Sequence, residues 1–89
     1  MIEERIINYI SIISKKKNID PSTDLFSDLQ FSSIVFFEII EKIESTFGIS
    51  FNYEDFDLLF RTKLKYSIKI HQLVEIVKMK LEQKNDDES

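Results

Sequence analysis

Cysteine, alanine and tryptophan are absent from this chain of 89 residues, and glycine, proline and histidine occur once each. Without cysteine there are no disulfides, no thiol nucleophile and no thiolate metal site. A single histidine cannot build a multi-histidine metal centre, and a single glycine excludes a glycine-rich phosphate loop. So few glycines and prolines leave few tight turns, which argues against an all-β chain of many short strands. No apolar run is long enough to span a bilayer. The amino terminus opens on an amphipathic, charged pattern rather than a signal peptide, so the expected location is the cytoplasm.

What remains is a foldable composition, 43% hydrophobic and 31% charged. The length allows one domain with one modest core, which makes a deep, many-residue active site unexpected. The balance favours helices, although 15 isoleucines work against them because β-branched side chains lose rotamer freedom there. Charge is unevenly spread. Residues 20–60 carry nine acidic groups against Lys42 alone, a local net of −8, while residues 61–84 have a local net of +5. The acidic middle should repel nucleic acid and attract basic protein surfaces.

Ile2, Ile6, Ile10 and Ile13 have helical spacing, with Ile7 and Tyr9 widening the apolar face. Glu3 and Glu4 at its start and Lys15, Lys16 and Lys17 at its end suit the helix dipole, and the lysines read as a solvated helix end. Residues 18–31 read as a long loop. Pro21 disfavours helix at Asp20, and Ser22, Thr23, Asp24, Ser27 and Asp28 are turn or cap residues. Ile19, Leu25, Phe26, Leu29 and Phe31 should pin this loop to the core. A loop this long in a small domain usually has a function.

A second helix is expected from Ser32 or Ser33 to Phe47, stopped by Gly48. At roughly 100° per residue, Phe36, Ile39, Ile40, Ile43 and Phe47 form a core stripe. Ile34, Glu38, Glu41 and Ser45 lie nearly opposite. An exposed isoleucine among carboxylates is either unremarkable or a docking contact. Residues 49–53 read as an apolar connector and residues 54–60 as a short helix presenting Phe56, Leu59 and Phe60. A last helix over residues 70–83 should bury Ile70, Leu73, Val74, Val77 and Leu81. Residues 61–69 are basic and have no evident periodicity.

Candidate chemistry is sparse. His71 lies inside the last helix pattern with nothing marking it as a base. Asp55 and Asp57 read as a solvated helix start rather than a catalytic dyad. The aromatics have core-like placement, without the basic interleaving of a single-strand binder. Ser32 and Ser33 stand where an irregular segment becomes a helix. A serine there is an ordinary N-cap, and it is also where a modifying enzyme reaches most easily. Both roles can coexist, with Ser32 capping while Ser33 projects from the first turn.

In order and spacing, four fragments resemble the acyl carrier protein family across about residues 2–83. The first is Ile2-Glu3-Glu4-Arg5-Ile6. The second is Leu25-Phe26-Ser27-Asp28-Leu29-Gln30-Phe31-Ser32-Ser33-Ile34, against a family pattern of an apolar pair, Asp-Leu-Gly, an apolar residue and Asp-Ser-Leu. The third is Glu44-Ser45-Thr46-Phe47-Gly48-Ile49 and the fourth Ile70-His71-Gln72-Leu73-Val74-Glu75-Ile76-Val77.

The resemblance implies an all-α, four-helix bundle with a short third helix and a long loop between helices one and two. It spans residues 1–84, with 85–89 a charged, disordered tail. It also implies that Ser33 carries 4′-phosphopantetheine from coenzyme A, whose thiol holds acyl groups for fatty-acid, polyketide or related biosynthesis. Ile34, Glu38 and Glu41 would dock basic patches on the phosphopantetheinyl transferase and on acyl-transfer or synthase enzymes. The carrier itself would be a non-enzymatic monomer without nucleic-acid or membrane partners. The alternative is an unmodified helical adaptor that binds a basic partner protein. Ser32 stands where the family usually has Asp and Gln30 where it has Gly, and residues 61–69 are longer and more basic than usual. Phe36, one turn from Ser33, would narrow any acyl pocket and favour short or externally held cargo.

Overall fold

The computed structural model describes residues 1–60 and 67–88, the last four by backbone alone. Within them the chain forms α1 (Ile2–Ser14), α2 (Ser33–Phe47), α3 (Tyr53–Leu59) and α4 (Ile70–Glu88). The fold is therefore the expected helical bundle, with α3 the short member. Its core follows the predicted stripes. Ile6 and Ile10 come from α1, Phe36, Ile39, Ile40 and Ile43 from α2, Leu59 from α3, and Ile70, Leu73, Val74, Ile76 and Val77 from α4. Burying such side chains contributes about 1.5–3 kcal/mol each relative to exposure, which outweighs the weak helix propensity of isoleucine. No helix among the described residues is long and apolar enough to cross a membrane.

Local chemistry sets the helix ends. α1 stops at Ser14 because Lys15 turns left-handed (φ 60°), so the lysine triplet follows the last turn instead of occupying it. α2 is capped by Ser32 and closed by left-handed Gly48. α3 starts in a capping box, with the Asn52 side chain accepting from Asp55 N and the Asp55 carboxylate accepting from Asn52 N. α4 extends past the expected end at Gln83 to Glu88, since neither proline nor glycine interrupts it.

Two expectations need correcting or bounding. Asp55, read as part of a solvated helix start with Asp57, is buried, and its carboxylate meets Lys80 Nζ at 2.6 Å. A capping carboxylate facing a lysine on α4 ties α3 to that helix, so its burial is compensated. Of the basic segment 61–69, residues 61–66 lie outside the described residues, while Ile68 is buried in the core.

Candidate functional site

The long loop brings the chain to Ser33 through a frame built around one buried carboxylate. Asp24 Oδ1 accepts from the backbone N–H groups of Phe26 (2.8 Å) and Ser27 (2.9 Å), and its Oδ2 accepts from Ser67 Oγ at 2.5 Å. The Asp24 carbonyl accepts from Asp28 N and Leu29 N, while Asp28 Oδ2 accepts from Asp24 N at 2.8 Å. Burial pushes the Asp24 carboxyl upward, but hydrogen bonds from Ser67, Ser27 and Phe26 outweigh it and hold the group below the ordinary aspartate range.

An isolated antiparallel bridge between Asp24 and Lys69 fastens the same loop to the start of α4. Leu25 N donates to Ile68 O, Ile70 N to Thr23 O and His71 N to Pro21 O, at 2.9–3.0 Å. Leu25 is fully buried, and Ile19, Phe26 and Phe31 pack against the core as expected. The loop is thus held at both its polar hub and its apolar anchors.

Just before the helix, Gln30 adopts φ 56°. A left-handed residue is needed here to bring Phe31 back toward Leu25, whose carbonyl accepts the Phe31 N–H at 3.0 Å. This gives a physical reason for the glycine common at the equivalent place in the resembling family, since glycine carries no Cβ penalty there.

The two serines then take different positions. Ser32 is the N-cap, its Oγ accepting from Val35 N at 3.2 Å. Ser33 is the first helical residue, exposed, and its hydroxyl has no hydrogen-bond partner among the described residues. The first turn holds no acidic side chain. The N–H groups of Ser33 and Ile34 have no intrahelical acceptor, and the positive end of the dipole is not neutralised locally. An anionic phosphodiester on Ser33 fits such an end.

Ile34 is 73% exposed, and Glu38 and Glu41 are exposed on the same face. Neither carboxylate makes an ion pair among the described residues. Glu38 also acts on α1: Tyr9's phenol is pushed up first by burial and then by the Glu38 charge. The structure adds Phe37, 48% exposed and three residues from Ile34, to this face. Sequence reasoning passes over it because it adjoins the core stripe at Phe36. A helical wheel placing it beside Ile34 is the available signal. Asp24 reads as a turn residue; its partner Ser67 lies 43 residues away, and no local pattern marks that pairing. Phe36 is fully buried, with the rings of Phe37, Phe26 and Phe60 at 5.2–5.6 Å.

The small helical bundle thus presents the exposed hydroxyl of Ser33 at the start of α2. The family model described as phosphopantetheine attachment site matches residues 4–62, and the chain belongs to that family. The match covers α1 to α3 and stops before α4. No curated protein matches the chain. Members of this family are non-catalytic carriers bearing covalent 4′-phosphopantetheine, and they work with transferases and synthase enzymes.

Proposed function

We propose that Ser33 is the attachment residue and that the chain shuttles acyl groups between enzymes of fatty-acid, polyketide or related biosynthesis. The observation that carries this reading is the division of labour between the two serines. Ser32 is occupied as a cap, whereas Ser33 is exposed and unpartnered at the positive end of α2. In loading, Ser33 Oγ bonds to the pantetheine-side phosphorus of coenzyme A. The pyrophosphate P–O bond breaks, the adenosine bisphosphate leaves with that electron pair, and the serine proton passes to a base on the transferase. When bound, the group supplies a thiol that carries acyl cargo as a thioester.

Ile34, Glu38 and Glu41 form the docking surface for basic patches on the transferase and the acyl-handling enzymes. Contacts made through exposed carboxylates are weak, fast and salt-sensitive, which suits a shuttle. The aromatic packing around Phe36 supports short or externally held cargo. A long acyl chain sequestered between the helices of the loaded protein, seen by a solvatochromic probe, would count against that preference.

Intact mass spectrometry after incubation with coenzyme A and a promiscuous phosphopantetheinyl transferase tests the attachment. One adduct is expected, retained in Ser32→Ala and lost in Ser33→Ala. No adduct under conditions that load a control carrier would favour the unmodified adaptor. Reversing Glu38 and Glu41 to Lys should slow loading without unfolding the domain, and unchanged kinetics would remove that face from the proposal.

A further inference from the structure

A second surface adjoins the Ile34–Glu38–Glu41 face of α2, where α1 packs closely against α4 but approaches α2 less closely. The resulting groove encloses about 400 Å³ between α1 and α2. Its floor is apolar. Ile6 and Ile43 are buried beneath it, Tyr9 and Phe47 are half-buried along it, and Ile12 stands exposed on its lip.

Two cations, Arg5 and Lys42, rim this floor. The Arg5 guanidinium lies 5.0 Å above the Phe47 ring, which holds it at the groove. Neither cation makes an ion pair among the described residues. Lys42 is also the only basic residue in the stretch 20–60. The groove is therefore apolar, and the two charged residues that line it are both cations on a chain whose net charge is −4, with Glu38, one turn before Lys42, the nearby carboxylate that acts on Tyr9.

We propose that this groove is a second docking site, which takes an acidic segment of a partner protein. One or two apolar side chains of that segment insert between α1 and α2, and its carboxylates face Arg5 and Lys42. Charge complementarity selects this occupant. A basic segment would meet two like charges, and an uncharged one would cover both cations without pairing them. On α2 the groove lies roughly a third of a turn from Ile34, Glu38 and Glu41. An acidic partner could hold the carrier there while the Ser33 face stays open to enzymes with basic patches.

The test is a titration of the ¹⁵N-labelled chain at low salt with a synthetic helical peptide carrying leucine on one face and glutamate flanking it. Saturable shifts are expected around Asn8, Ile12, Lys42 and Thr46. Affinity should fall roughly tenfold in Lys42→Glu, and again when the peptide's glutamates are replaced by lysine. Lys42 is exposed, so its variant should keep the native spectrum elsewhere; Arg5→Glu probes the other rim. The proposal is overturned by no saturable shift, by shifts centred on Ile34 and Glu38, or by equal binding of the basic peptide. Shifts that depend on protein concentration without peptide would make the occupant a second copy, and overturn it too. Loading of Ser33 should not fall in Lys42→Glu, because the added negative charge lies beside the acidic docking face, so this outcome is separate from that of the attachment site.

Discussion

The two ends of α2 are built from the same elements, a helix terminus and a turn, and are finished differently. At the carboxyl end the backbone is closed. Gly48 N and Ile49 N both donate to Glu44 O, the Glu44 carboxylate accepts from Phe51 N at 2.8 Å, and Lys84 Nζ donates to Gly48 O. At the amino end a neutral Ser32 cap takes up one N–H, and the next hydroxyl is left exposed. A helix terminus stabilises a fold most when its polar groups find partners within the chain. An end left partly open, on a loop that is otherwise densely bonded, is the feature on which the proposed attachment at Ser33 rests.

The strongest way to break this comparison is to remove the open hydroxyl. Ser33→Ala should abolish loading completely, measured by intact mass, with little change in melting temperature because that hydroxyl has no partner within the described chain. Ser32→Ala should do the reverse, keeping the adduct while costing about 1 kcal/mol as a lost N-cap. If Ser32→Ala abolished loading and Ser33→Ala did not, the division of roles between the two serines would be overturned.

The loop frame comes next. Asp24→Ala removes the acceptor for Phe26 N, Ser27 N and Ser67 Oγ. It should cost about 3 kcal/mol, since buried donors left unpaired lose roughly 1–3 kcal/mol each and partly recover through water. Urea denaturation would measure it. The pH dependence has a definite sign. Asp24's folded pKa lies below its ordinary value of 3.8, so its contribution is present above that value and is lost as pH falls through the lowered one. The stability gap between the wild type and Asp24→Asn should therefore be constant near neutrality and narrow below about pH 4. A gap that widened on acidification would contradict the hydrogen-bonded carboxylate.

The closed end should respond more mildly. Glu44→Ala leaves Phe51 N without its side-chain acceptor but keeps both backbone bonds to Glu44 O. A loss of about 1 kcal/mol is expected, with unchanged loading at Ser33. Slower loading in this variant would show that the two ends communicate along α2, and would blunt the contrast between them.

How much of this could be read from the chain follows the range of each interaction. The core stripe of α2, the glycine stop at Gly48 and the Ser32 cap depend on neighbours within one or two turns, and periodicity carries them. The pinned loop is legible because its apolar residues interrupt an otherwise polar run. What the local pattern misses is long-range. The buried state of Asp55 depends on Lys80 of another helix, and that of Asp24 on Ser67 after the third helix. An aspartate in a turn reads as solvated unless its partner is known. Exposure of Phe37 escapes for a different reason, because an aromatic beside a core residue is ordinarily assigned to the core.

The smallest effect concerns the residue that sets the register of the open end. Gln30 is exposed and left-handed at φ 56°, a conformation that costs an ordinary side chain roughly 1 kcal/mol. Glycine removes that strain but adds freedom to the unfolded chain, and these two effects are of similar size and opposite sign. Gln30→Gly should therefore shift stability by less than about 1 kcal/mol, toward the stable side if relief of strain outweighs the added freedom. Gln30→Val should be clearly destabilising, because a β-branched residue is a poor occupant of this region. In both variants the loop frame at Asp24 remains, so Ser33 should still load, with the valine variant slower if the turn at residue 30 orients the helix start. Equal stability of the valine and glycine variants in denaturant titration would mean that the left-handed turn is not maintained in solution. The open end of α2 would then be set by Asp24 and the Ser32 cap alone.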